Sequence, residues 1–169
     1  MLVNLYTGLT MNGDCIQKIE DTKEELTNIK NWINNGNQFD SKTRYLVSYA
    51  VIKASGTVEV IFKQTIYDYL SINANEGAKA YLERMILDSS CNPNTGNMSN
   101  MLQSISSIWK NNFDQQVKNS GQKDKLNSLV QLRNDFAHGV SISVSIDTVI
   151  NYFNSAVAIL HILCSVIAN

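Results

Sequence analysis

Arg133-Asn134-Asp135-Phe136-Ala137-His138-Gly139 is the stretch whose residue types and spacing could do chemistry. On a helix, at about 100° per residue, Leu126, Leu129, Val130, Phe136 and Ala137 form an apolar stripe, and Arg133 falls inside it. A guanidinium cannot be neutralised and is rarely buried alone. Arg133 therefore calls for a carboxylate, or for an anionic ligand at an inner cleft. Asn134 and His138 are i,i+4 neighbours whose side chains can touch. His138 falls in the last turn before Gly139, where the helix dipole and Asp135 both favour the protonated imidazole. A histidine shared between its two forms near neutral pH is what general acid–base chemistry requires. The same residues also have a structural reading. An arginine on an apolar stripe is often one half of an ion pair, and a histidine before a terminal glycine is often a cap.

Other charged residues bear on this stretch. Glu59 is a lone acid in the most apolar run of the chain and needs a cation, either Arg133 or its i+4 neighbour Lys63. By pairing with Arg133 it could hold that side chain in place for a phosphate. Lys118, Lys123 and Lys125 cluster just ahead of the motif, as a solvated face or as a basic lip leading a phosphate toward Arg133. His161, alone in an apolar helix, reads as a satisfied core histidine. Trp32, Trp109, Phe113 and Phe153 read as core. No GxxxxGK[ST], no GxGxxG after a strand and no GxSxG is present. Neither histidine has a metal-ligand partner at helical or finger spacing, so no metal site is expected.

The elements that must position these residues are helical. Apolar residues at spacings near three and four predict a helix from Cys15 to Asn34, ended by Asn34-Asn35-Gly36-Asn37. Asp40 or Ser41 caps a long helix to Ile72, on the order of 48 Å, apolar on nearly every face and with a bend expected at Ser55-Gly56. A short helix follows over 75–88, then a loop over 89–98. Helices are predicted over 99–118 and 122–138, the latter stopped by Gly139. Val140, Ile142, Val144 and Ile146 alternate with serines as a short extended segment. A last helix runs over 146–167, and its uncharged second half reads as buried or dimer-forming. Residues 1–14 read as a loosely docked leader to a single domain spanning 1–169.

Composition agrees with this outline. The chain has 169 residues, 44% hydrophobic and only 17% charged, with a single proline. So little proline favours long helices. A net charge of -1 excludes a strongly basic nucleic-acid coat, though not a small nucleic-acid site. Three scattered cysteines, Cys15, Cys91 and Cys164, with no CxxC, suit idle thiols in a reducing cytosol. The N-terminus lacks a secretory pattern. The charges punctuating the long helix favour a bundle over a membrane span.

Arg133-Asn134-Asp135-Phe136-Ala137-His138-Gly139 resembles the R-N-x-x-x-H form of the Rx4–6H motif of the HEPN superfamily, and the helix around Glu59 looks like the early helix of the RiboL-PSP-HEPN group. The resemblance implies an all-α bundle of about five to six helices with a long central helix. It implies a metal-independent endoribonuclease that needs no cofactor, acting as a homodimer in which two motif helices share one cleft. His138 would act on the 2′-hydroxyl or on the leaving 5′-oxygen, Arg133 would bind the scissile phosphate, and Asn134 would orient either. The products would be a 2′,3′-cyclic phosphate and a 5′-hydroxyl. Such proteins commonly act in bacterial anti-phage defence or toxin–antitoxin systems, so an antitoxin or defence partner is expected beside RNA. A non-catalytic helical dimerisation, interaction or nucleotide-binding module is the alternative. Toxins of this kind paired with a nucleotidyltransferase often carry a tyrosine two residues after the histidine. Val140 stands there in this chain, so regulation through that tyrosine is not expected.

Overall fold

Helix caps punctuate the chain more finely than its apolar periodicity does. The computed structural model describes residues 11–168. The predicted leader therefore falls mostly outside the described residues. Met11 is buried, and the Asn12 side chain accepts the Cys15 N–H at 2.7 Å, starting α1 (Gly13–Trp32). A wide turn over 33–37 follows, in which Gly36 takes φ +89°, a conformation that favours glycine. The side chain of Asp40, rather than that of Ser41, accepts the Lys42 N–H at 2.8 Å at the start of α2 (Lys42–Leu70).

The long helix α2 is unbroken through Ser55-Gly56. Gly56 lies on its outer face in line with exposed Tyr45, Tyr49, Ile52 and Val60. There it meets no neighbour that would force a bend.

After α3 (Glu76–Leu82) and a wide turn over 83–87, the predicted loop is shorter than expected. The Asn94 side chain accepts the Asn97 N–H at 2.8 Å, which starts α4 (Thr95–Ile105) four residues early. Ser106 then divides the predicted 99–118 helix in two. Its backbone is extended (φ −153°, ψ 119°), and its hydroxyl caps α5 (Ser107–Ser120) through the Trp109 N–H at 3.3 Å. That break makes seven α-helices among the described residues where six were expected. Next come α6 (Lys123–Ala137) and α7 (Ile146–Ala168).

No strand occurs among the described residues. Residues 141–145 keep the predicted alternation without a pairing partner among the described residues, with Ile142 and Val144 turned toward the core and the serines exposed, whereas Val140 faces solvent.

The core is one cluster. Helix α2 packs most extensively on α7, which also covers α6, α5 and α1. Phe62, Phe113, Phe153, Leu126, Leu129 and Leu160 are fully buried. Both α2 and α7 are long and apolar enough to cross a membrane, yet about 56% of each apolar window is buried inside the bundle. The apolar half of α7 is thus accounted for by core packing. His161 is not a core histidine. It is exposed on a polar strip of α7 with Asp147, Asn151, Asn154 and Ser165, spaced three, four or seven residues apart.

Candidate functional site

Helix α6 is covered only over its first turns. Leu126, Leu129 and Val130 are buried, but Phe136 is 39% exposed and Ala137 and His138 are exposed with it. The predicted apolar stripe therefore ends at Val130, and Arg133 is half-buried where cover gives out.

Neutral groups hold Arg133. Its Nη1 donates to Asn92 Oδ1 at 3.2 Å and to Asn134 Oδ1 at 3.3 Å. No carboxylate of the described residues pairs with it. The predicted choice for Glu59 falls to Lys63, at 2.7 Å, with the Lys63 side chain only 9% exposed. Lys63 also donates to the Ser89 carbonyl, and Glu59 accepts the Cys91 N–H at 3.5 Å. This pair on α2 thus pins the loop that carries Asn92 to Arg133. The Asn92 carbonyl is in turn tied by the Asn94 N–H and by Asn97 Nδ2, each at 2.9 Å. Asn92 is the site residue that sequence reasoning missed. It is 41 positions from Arg133, and the only local signal was Pro93, which fixes the loop beside it.

His138 closes α6 through a double turn. The Gly139 N–H donates to the Phe136 carbonyl at 3.0 Å and the Val140 N–H to the Asp135 carbonyl at 2.9 Å. That six-to-one and five-to-two pairing places Gly139 at φ +78°. The cap fixes the His138 backbone, while its imidazole is exposed and makes no hydrogen bond or ion pair with the described residues. Two expected contacts are not made. The Asn134 amide oxygen turns to Arg133 rather than to His138. The Asp135 carboxylate accepts from Gln131 Nε2 at 2.7 Å. Beside His138, a cavity of about 270 Å³ is lined by Arg44, Tyr45, Phe136, Gly139, Val140 and Ile142.

The three lysines separate. Lys118 and Lys123 join Lys110 around a groove of about 750 Å³ with Asn94, Asn127 and Asp114. Burial works against ionising Asp114, but hydrogen bonds from Lys110 and Ser99 outweigh it and hold the carboxyl below its ordinary value. Lys125 points elsewhere, to Asn151 of α7 at 3.4 Å. Ten residues of helix, about 15 Å, separate Lys123 from Arg133. Among the described residues, no three His, Cys, Asp or Glu side chains gather as a metal site.

An all-α bundle with an arginine, an asparagine and a histidine closing a late helix is the arrangement that the resemblance to the HEPN superfamily implies. Residues 17–169 match the family profile RiboL-PSP-HEPN, and the chain belongs to that family. It is a nuclease-like or RNA-related helical module of a superfamily whose domains are generally of RNase type. Searches of curated proteins and of solved structures gave no match.

Proposed function

We propose that this protein is a metal-independent endoribonuclease that cleaves RNA through its own 2′-hydroxyl. The supporting observation is a half-buried Arg133 held by two amide oxygens, with its charge uncompensated, on the same helix end as an exposed His138. A guanidinium so held offers parallel N–H groups to two oxygens of a phosphodiester. One His138 takes the proton of the 2′-hydroxyl as its oxygen attacks phosphorus. The bond to the 5′-oxygen breaks, and a second imidazole protonates that leaving group. The products are a 2′,3′-cyclic phosphate and a 5′-hydroxyl.

The second imidazole comes from a second copy of the chain. The outer face of α2 supports that arrangement. Tyr45, Tyr49, Ile52 and Val60 are 60%, 43%, 42% and 46% exposed, and Tyr45 shares the cavity beside His138 with Phe136 and Val140. Lys118 and Lys123 supply charge for the flanking strand. Lys125 and Asp135 have no role in this scheme, and Glu59 acts through the loop that it pins. The setting we propose is bacterial defence or a toxin paired with a restraining partner, in the cytoplasm.

EDTA-treated protein is expected to cut single-stranded RNA and leave 2′,3′-cyclic phosphate ends. Arg133→Ala and His138→Ala should each abolish cutting while melting cooperatively. Cutting by His138→Ala at the wild-type rate, or no cutting of any RNA by the wild type, would overturn this reading.

A further inference from the structure

On the other side of Asn92 from Arg133 lies a groove of about 840 Å³ between α3, the loop over 88–94 and α4. No charged side chain of the described residues lines it. Its apolar wall includes Tyr81 and Met85, 64% and 53% exposed, together with Met101. Its polar wall includes the amides of Asn92, Asn97 and Asn100 beside the hydroxyls of Ser89, Ser90 and Ser104.

This combination is ill suited to a phosphate and well suited to a nucleobase. An exposed aromatic ring stacks on any base, and amides pair with base edges that carry both donors and acceptors. Asn92 joins the two regions, because its side-chain oxygen holds Arg133 while the residue itself lines the groove. A phosphate on Arg133 would therefore have its neighbouring base within reach of the groove.

We infer that the groove is a nucleobase subsite that takes one unpaired base next to the phosphate bound by Arg133. The inference rests on the ribonuclease reading for that phosphate. It restricts the substrate to single strands, since a base stacked and paired in a duplex cannot enter.

The test uses the full chain and a single-stranded RNA oligomer with every 2′-hydroxyl methylated, which binds but cannot be cut. Tyr81→Ala should weaken binding about tenfold, within the worth of one stacked base. Tyr81→Phe should bind like wild type. The oligomer should slow hydrogen exchange over 81–105, and a duplex of the same sequence should not.

Equal binding by wild type and Tyr81→Ala overturns the subsite. So does protection of the groove by a co-expressed protein and not by RNA, which would make it a protein-docking surface. Failure of the ribonuclease reading looks different. In that case the oligomer binds through Tyr81, but unmodified RNA is never cut.

Discussion

Arg133 and Lys63 occupy opposite electrostatic situations, and their substitutions separate function from stability. Arg133 gives up two hydrogen bonds to amide oxygens when truncated. Arg133→Ala should therefore cost only about 1 kcal/mol in a denaturant melt. Lys63→Ala leaves Glu59 partly buried without its cation and releases the Ser89 carbonyl. It should cost about 2–4 kcal/mol. The reverse order of the two losses would contradict the assigned pairing. Which cation Glu59 takes could not be read from sequence, because both were compatible with its position on α2. The choice depends on where the loop over 88–94 settles. Cys15 offers a further residue-scale test. Burial, reinforced by Asp68, pushes its thiol up to about 11 from 9.0. A folded-state pKa raised in this way means that the folded state holds the proton more tightly. Its contribution is intact below pH 9 and is lost as pH rises toward 11. Stability should fall by about 2–3 kcal/mol across that window, and in Cys15→Ala the fall should be shallower by that amount.

Single capping residues decide several helix boundaries, and the most consequential is at the end of α6. Gly139 at φ +78° lets Gly139 and Val140 bond back to Phe136 and Asp135, and so sets the height at which His138 leaves the helix. A β-carbon there would meet no neighbour, so the penalty of Gly139→Ala is purely one of backbone conformation. It should amount to about 1–2 kcal/mol. Because the cap carries His138, the RNA-cutting rate should drop by more than the melt implies. A rate unchanged in a folded Gly139→Ala protein would show that the cap does not position the imidazole. The stop at Gly139 was legible in the sequence, as were the extents of α2, α6 and α7 to within two or three residues, because apolar spacing and glycine mark them. Ser106 and Asn94 were not recognised as boundaries. Each sits among other short polar residues, and only the hydrogen bond that its side chain makes distinguishes it as a cap. His161 was misplaced for a related reason. Its neighbours are apolar, but the polar strip to which it belongs is set by residues three, four and seven positions away.

At the scale of the whole molecule, a chain with 17% charged residues has little with which to hold RNA by charge alone. Its bundle buries the apolar content of α7 but leaves an apolar line along α2, from Tyr45 through Tyr49 and Ile52 to Val60. That line reaches the cavity beside His138 through Tyr45, so one surface can bring two copies of the chain together and set two motif helices side by side. A stable pair needs on the order of 800 Å² from each partner, and the exposed side chains along α2, with Phe136 and Val140 at the end, would form the apolar centre of such an interface. Doubling would also double the few cations at one cleft, which offsets the low charge of the single chain. Sedimentation at micromolar concentration should therefore give a dimer. Ile52→Glu, a change at a site already 42% exposed, should leave the melt nearly unchanged, shift the protein to monomer, and abolish RNA cutting with Arg133 and His138 intact. A monomeric Ile52→Glu protein that cuts as well as wild type would show that one copy carries both acid and base. The second imidazole would then have no place in the mechanism.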